Sequence, residues 1–152
     1  MELDLLADNI VFKNVTSPSE LEGAFAVRRE VFIVEQSIAE DEEYDGLDQD
    51  CLHYVAINGA WVVGTARVRF LSKESAKIER MAVLKNFRRK SVGAGILSLI
   101  EKELKTRRIK EAVLHAQMTA MPFYLACGFT ATGATFYEAE IEHIKMQKFV
   151  GR

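Results

Sequence analysis

Short apolar runs along the chain, several of them rich in β-branched and aromatic residues, predict strands that alternate with helices. Asn58-Gly59 lies between two of these runs and is the strongest two-residue signal for a hairpin turn. The predicted strands cover residues 11–15, 52–57, 60–70, 77–83, 111–116, 131–137 and 143–149.

The first helix is predicted to begin at Ser17-Pro18-Ser19-Glu20. Ser17 and Glu20 can satisfy each other's backbone N–H groups, and Pro18 suits the first helical position. The helical pattern weakens over residues 31–36, and the acidic residues 40–50 predict a loop. One face of the helix is expected to be buried, and it carries Leu21, Ala24, Phe25, Arg28 and Phe32.

A second amphipathic helix is predicted after a loop over residues 84–91, and it should end near Arg107 and Arg108, whose charges suit the negative end of a helix dipole. Its apolar face carries Ile96, Leu97, Ile100 and Leu104. A short helix over residues 119–127 is closed by Gly128. The predicted fold class is α+β, with a single mixed, mainly antiparallel central sheet flanked by helices.

Composition narrows the class of protein. The length of 152 residues, with 49% hydrophobic and 28% charged residues, predicts one globular domain over residues 1–152. The net charge of −2 provides no global positive field, so neither nucleic acid nor a membrane surface is an expected partner. Residues 1–7 lack the basic start of a signal peptide.

Cysteine and histidine usage points to a reduced, cytoplasmic protein without a metal site. Cys51 and Cys127 have neither disulfide-framework nor metal-ligand spacing. The three histidines, His53, His115 and His143, are scattered and without neighbouring ligands, so we expect no metal.

Residues 87–95 are the most informative stretch for chemistry. Three adjacent cations, Arg88, Arg89 and Lys90, precede the small residues of a predicted helix start. Unpaired N–H groups and the positive end of a helix dipole at such a turn can bind an anion. A solvated loop whose glycines only allow helix packing is the alternative. Neither the glycine pattern of a Walker P-loop nor that of a dinucleotide fingerprint is present.

This stretch resembles motif A of the GNAT acetyltransferase superfamily, in which Arg or Gln is followed at fixed spacing by Gly and by Gly or Ala. Arg88 takes the first position, Gly93 takes the last, and Ser91 stands in place of the first glycine. A serine resists positive φ, so the cost of this departure depends on the backbone angle.

Further segments extend the resemblance over most of the chain, from about Val11 to Phe149. Residues 123–129 resemble the superfamily's Phe-Tyr-x-x-x-Gly-Phe segment, preceded by Gln117 and Ala120. The remaining segments are similar to the ElaA-like and YjcF-like branch of small bacterial GNAT proteins, and they are residues 28–36, 45–48, His53, 79–83 and 143–146.

The resemblance implies the GNAT acyl-CoA N-acyltransferase fold and a set of site residues. Val83 N–H would stabilise the oxyanion, Tyr124 would donate a proton to the leaving thiolate, and Glu79 would act as the base. His53 and His115 are alternatives to Glu79. The cofactor contacts would be Met81, Ala82, Val83, Arg88, Arg89, Lys90, Ser91, Val92, Gly93, Ala94, Gln117 and Phe123, and the substrate contacts would be Arg28, Glu35 and Gln36.

The predicted function is transfer of an acetyl group from acetyl-CoA, as co-substrate, to a primary amine of a small molecule in a ternary complex. The acidic residues 40–50 could attract a cationic amine, or they could form an ordinary solvated loop. A non-catalytic acyl-CoA sensor and a protein or peptide N-acetyltransferase are the alternatives. Pairing of the last two strands between chains would give a homodimer.

Overall fold

The computed structural model describes residues 9–151, so residues 1–7, which carry the signal-peptide prediction, lie outside the described part. Seven strands form one sheet with the order β1-β2-β3-β4-β5-β7-β6. The strands are β1 Ile10–Asn14, β2 Leu52–Asn58, β3 Trp61–Phe70, β4 Ser75–Val83, β5 Glu111–Gln117, β6 Thr130–Glu138 and β7 Ile141–Phe149.

The sheet is mixed and mainly antiparallel, which confirms the predicted α+β class. The pairs β1–β2, β2–β3, β5–β7 and β6–β7 are antiparallel, whereas β4 pairs with β5 in parallel. The parallel register covers Ser75–Lys77 and Glu111–Val113, although β5 continues to Gln117 and pairs with β7 along its whole length.

Within residues 9–151, four α-helices connect the strands, together with one π-helical segment. The helices are α1 Pro18–Arg28, α2 Glu40–Glu43, α3 Val92–Thr106 and α4 Met121–Ala126, and the π-helical segment is Arg29–Glu35. Short 3₁₀ turns cover Asp48–Asp50, Lys85–Phe87 and Met118–Ala120. The π-helical segment falls where the helical sequence pattern weakens.

The start of α1 differs in one detail from the predicted cap. The Ser17 hydroxyl oxygen accepts the Glu20 N–H at 3.2 Å, as predicted. The Glu20 carboxylate instead accepts the N–H of Thr16, at 2.8 Å, and it also pairs with Lys13 at 2.7 Å. The side chain of Glu20 therefore ties the helix start to β1.

A β-bulge places the two sides of β3 against different helices. Gly64 pairs with Ala56 and Val62 pairs with Ile57, so Val63 is the extra residue. A Cβ atom on Gly64 would lie 2.9 Å from Val92 of α3, whereas Val62 meets Gly23 of α1. The bulge thus lets residues two positions apart face opposite sides of the sheet.

The described chain forms two compact units. The first contains residues up to Val68 and Arg80–Ile100, and its core includes Val27, Val31, Phe32 and Ala82. The second contains Arg69–Glu79 and the described residues from Glu101 onward, and its buried side chains include Leu104, Leu114, Phe129 and Met146. The expectation of a single domain stays a prediction.

No helix of the described part is long and apolar enough to cross a membrane.

Candidate active site

The turn before α3 has the backbone shape of an anion cradle. Arg89 and Ser91 both have positive φ, +63° and +64°. The Ser91 carbonyl accepts the Gly95 N–H at 3.0 Å, which is the first helical hydrogen bond of α3. The N–H groups of Val92, Gly93 and Ala94 lie in the first turn, where no intrahelical acceptor exists. These donors, with the positive end of the helix dipole, can bind a phosphate.

Ser91 is held in the left-handed conformation that glycine adopts without penalty. For a residue with a Cβ atom this conformation costs about 1–2 kcal/mol. The departure from the motif therefore carries a real backbone cost, which the surrounding turn must offset.

Arg88 uses its side chain within the protein. Its Nε atom donates to the Val83 carbonyl at 2.9 Å, and its two terminal nitrogens donate to the Glu35 carboxylate at 3.1 and 2.7 Å. The structure thus brings together Arg88, predicted to bind cofactor, and Glu35, predicted to bind substrate. A contact of Arg88 with a cofactor would come most directly from its main chain.

Strand β4 contains one residue with an unusual backbone angle, three positions before the predicted oxyanion donor Val83. Arg80 has φ +57°, so the strict alternation that placed Glu79 on the same side as Met81 and Val83 does not run through this residue. The Ala82 side chain is buried in the core with Val27 and Val31. Only the main chain of Ala82 is therefore available to a ligand.

Residues 40–50, called here the acidic segment, are bound to α1, β3 and β4 by a network of buried ion pairs. Arg28 and Arg67, each no more than 1% exposed, donate to carboxylates of this segment, and Arg80 adds a third guanidinium. The ion pairs are Arg28–Glu43 at 2.6 Å, Arg28–Asp48 at 2.7 Å, Arg67–Asp45 at 2.6 Å, Arg67–Asp48 at 2.9 Å, Arg80–Glu43 at 3.0 Å and Arg80–Asp45 at 3.3 Å.

Sequence reasoning missed this network. Three arginines balance three carboxylates in it, so Glu43, Asp45 and Asp48 do not supply an acidic rim for an amine. Hydrogen bonds from Arg67 hold the pKa of Asp45 well below its usual range. The only sequence signal was Arg28, a cation on the otherwise apolar face of α1.

Glu79, the predicted base, is engaged by two cations. Arg69 donates to both of its carboxylate oxygens at 3.2 Å, and Lys77 lies 3.1 Å away. The Glu79 side chain is only 9% exposed. The carboxylate oxygens of Glu79 are thus already engaged by Arg69 and Lys77.

Tyr124 lies in α4, where it is almost fully buried against the rings of Phe123 and Phe129. Burial, with a smaller contribution from Cys127, raises the pKa of the Tyr124 phenol above its ordinary value. The phenol therefore remains protonated throughout the neutral range. Burial also raises the pKa of the Cys127 thiol, which is unsuited to act as a thiolate nucleophile.

The three histidines have different surroundings. Nδ1 of His115 lies 2.9 Å from the Glu138 carboxylate, and Nδ1 of His143 lies 2.7 Å from the Ile141 carbonyl. Nε2 of His53 lies 2.8 Å from the Asp48 carbonyl. His53 also lines a cavity of about 650 Å³ with Leu21, Phe25, Tyr44, Gly46, Asp48, Gln49 and Cys51.

Within residues 9–151 no group of three potential ligands could hold a metal ion.

The sequence matches the acetyltransferase (GNAT) domain family over residues 13–150. The chain belongs to the GNAT acetyltransferase family. It is 36% identical over 130 residues to the uncharacterized N-acetyltransferase YjcF of Bacillus subtilis (strain 168). The match covers 85% of this chain and 92% of YjcF. The recognised family is thereby confirmed, and the protein is an acyltransferase of this family.

Solved GNAT structures share the fold. Escherichia coli ElaA is 26% identical with a TM-score of 0.77, and the match covers 91% of this chain and 99% of that one. An acetyltransferase from Elizabethkingia anophelis with acetyl-CoA bound is 16% identical with a TM-score of 0.67, and the match covers 93% and 99%.

In this GNAT chain, the structure brings some of the predicted site residues together and gives others structural partners. Residues 88–94 form one continuous turn and helix start, whereas Arg28 is fully committed to buried ion pairs. Gln36 directly follows the π-helical segment, and Gln117 is the last residue of β5. The individual roles assigned to these residues stay predictions.

Proposed function

We propose that this acetyltransferase transfers the acetyl group of acetyl-CoA to a primary amine of a small molecule, by direct attack within a ternary complex. The turn at Arg89–Ser91, with two left-handed residues leading into α3, is the observation that carries the proposal. Such a turn directs consecutive N–H groups toward one point, which suits a pyrophosphate. Arg89 and the segment's other cation, Lys90, would add positive charge beside it.

The thioester would be polarised by the main chain of β4. An N–H group directed at the developing oxyanion contributes about 3–4 kcal/mol to transition-state stabilisation. Val83 is our candidate donor, with Met81 contacting the pantetheine arm. The positive φ of Arg80 supports this assignment, because it marks a local break in the strand geometry shortly before these two residues.

Departure of the thiolate would be assisted by Tyr124. The raised pKa keeps this phenol protonated, so a proton is available when the C–S bond breaks. Phe123 packs edge-on against the Tyr124 ring with centroids 4.9 Å apart, and this contact restricts the ring's orientation. Phe123 would thus act through packing as well as through its predicted cofactor contact.

The substrate is proposed only as an amine of small size. The carboxylates Glu43, Asp45 and Asp48 are neutralised by arginines, so attraction of a cationic amine would depend on other acids of the segment. Glu35 is bound to Arg88 but remains 28% exposed, which is compatible with its proposed contact to substrate.

The test combines calorimetry with release of free CoA across a panel of amines. Wild-type protein should bind acetyl-CoA and turn over at least one amine, and Tyr124→Phe should lower kcat by about 10²–10⁴-fold with unchanged acetyl-CoA affinity. Tyr137→Phe, at a tyrosine that is 71% exposed, is the matched control and should have no effect. Tight binding without turnover of any amine would favour a sensor role instead, and no binding would refute the proposal.

A further inference from the structure

His115 and Glu138 form an oriented imidazole–carboxylate pair on the sheet of the second unit. Nδ1 of His115, in β5, lies 2.9 Å from Oε2 of Glu138, at the end of β6. The Phe136 ring meets the imidazole edge-on with centroids 4.9 Å apart. An ionised carboxylate only accepts hydrogen bonds, so in neutral His115 the proton lies on Nδ1 and the Nε2 lone pair is available.

His115 lies on β5 just beyond the part of this strand that pairs with β4. The last residues paired between β4 and β5 are Lys77 and Val113. His115 is two residues beyond Val113, and Glu79 is two residues beyond Lys77. By two-residue alternation His115 therefore lies on the same face as Val113, just past the point where the parallel pairing ends.

The helix that carries Tyr124 lies over the opposite face of β5. Lys148 pairs with Ala112, and its Nζ atom donates to the Cys127 carbonyl at 2.8 Å, directly after α4. Ala112 and Leu114 thus point toward α4, whereas His115 points away from it. A base on one face and a proton donor on the other suit a reaction in which an amine attacks a planar thioester and the thiolate departs.

From this geometry we infer that His115 is the catalytic base that deprotonates the acceptor amine, and that Glu138 is a positioning residue that fixes the His115 tautomer. The inference rests on the proposed function. It also replaces Glu79 in that role, because Arg69 and Lys77 already engage the Glu79 carboxylate, whereas the described contacts of His115 use only Nδ1 and the ring edge.

The proton balance is simple. Near pH 7 the acceptor is an ammonium ion, and His115 Nε2 takes one proton from it, so that the neutral nitrogen can form a bond to the acetyl carbon. The C–S bond breaks with its electron pair on sulfur, which takes a proton from Tyr124. The phenolate regains its proton from the acetylated nitrogen and the imidazolium releases its proton to water, so the ammonium ion and acetyl-CoA give the acetamide, CoA thiol and one released proton.

Several charged or titratable groups surround His115 and could modify its behaviour. They are Glu138 on β6, His143 and Lys145 on β7, and Lys77 and Glu79 on β4. Glu138 contacts the ring directly, and Lys145 is the cross-strand partner of His115. The experiment therefore alters His115 and Glu138 separately.

The first measurement is nitrogen NMR of the histidine rings in the full-length protein. The His115 signals, assigned by their loss in His115→Asn, should report the Nδ1–H tautomer, and Glu138→Gln should alter this tautomer preference. Glu140→Gln, at a nearby exposed carboxylate, is the matched control and should leave it unchanged. An Nε2–H tautomer in wild-type protein would overturn the inference.

The second measurement compares two kinds of acceptor with the same variants. With primary alkyl amines, which are protonated near pH 7, His115→Asn should lower kcat by about 10²–10⁴-fold with unchanged acetyl-CoA affinity. With hydroxylamine, which is unprotonated near pH 7, the loss should be much smaller. Three results would each overturn the inference. They are equal losses of kcat with alkyl amines and with hydroxylamine, no loss with alkyl amines, and no turnover of any alkyl amine by wild-type protein that binds acetyl-CoA. Failure to bind acetyl-CoA would instead refute the proposed function beneath it.

Discussion

The Nε atom of Arg28 donates a 2.6 Å hydrogen bond to the Glu43 carboxylate, and both side chains are almost fully buried, at 1% and 2% exposed. The same guanidinium binds Asp48 at 2.7 Å. Arg28→Met would leave buried carboxylate charge without this partner, so we expect a loss of about 3–5 kcal/mol in the free energy of unfolding, measured by urea denaturation.

Arg29→Met is the matched control for this substitution. Arg29 pairs with Glu40 at 2.8 Å, but these side chains are 54% and 64% exposed. An exposed pair contributes about 0–1 kcal/mol, so the control should unfold almost like the wild type. Similar losses in both variants would show that the buried network does not anchor the acidic segment.

Acid should destabilise the protein through Asp45 and Asp48 of the same network, whereas burial raises the pKa of Glu43, which therefore acts in the opposite direction. Hydrogen bonds from Arg67 lower the pKa of Asp45. Burial opposes a similar shift at Asp48, but hydrogen bonds from Arg28 and Arg67 outweigh it and lower that pKa as well. A lowered pKa in the folded state means that the unfolded chain binds protons first. The stabilisation is therefore complete above about pH 4 and is lost as the pH falls further.

The free energy of unfolding, measured between pH 2.5 and 6, should consequently decrease on the acidic side. Asp45→Asn should be less stable than wild type at pH 6 and should show a shallower acid dependence. An acid slope identical in the two proteins would contradict the assignment of Asp45 to this transition.

Ser91→Gly should stabilise the turn before α3. Glycine removes the φ penalty at +64° but adds unfolded-state entropy, so the expected net gain is about 0.5–1 kcal/mol. Calorimetry should show acetyl-CoA affinity equal to or above that of wild type, since the main-chain donors remain. Ser91→Ala keeps the penalty and serves as the control, and a gain of equal size in that variant would refute the backbone explanation.

Gly95 allows α3 to approach β1, because a Cβ atom at this position would overlap the Phe12 ring. Gly95→Ala should therefore cost about 1–3 kcal/mol in thermal or urea unfolding, and shortening the ring's reach with Phe12→Leu should recover part of this loss. Ser98→Ala, on the exposed face of α3, should not destabilise. Strict additivity of Gly95→Ala and Phe12→Leu would argue against the contact.

Much of the fold could be predicted because it depends on local patterns. Strands, helix starts and the Gly128 helix end follow from short-range preferences, although the β2–β3 loop is Gly59-Ala60 rather than Asn58-Gly59, since Asn58 pairs with Trp61. Family resemblance supplied residues 88–94 and Tyr124 as candidate site residues, and their roles stay predictions. Neither local sequence patterns nor family resemblance gives a backbone angle, so the positive φ of Ser91 had to come from the structure.

The remaining features depend on residues that are distant in sequence. Glu138 lies 23 positions after His115, and Glu43 lies 15 positions after Arg28. Hydrophobic periodicity indicated that the Arg28 position is buried, but it could not identify which carboxylates would neutralise the guanidinium. Such partners are set by how the strands and loops meet, which no local pattern encodes.

The π-helical segment Arg29–Glu35 makes the length of this part of the chain as important as its composition. A π-turn holds an additional residue relative to an α-turn, so deleting one residue would convert the segment to an α-helix. Residues downstream would then rotate by about 100° around the axis. Glu35 would swing away from Arg88, and the turn that we propose to bind phosphate would lose its connection to the first helix even though every side chain of the turn were unchanged.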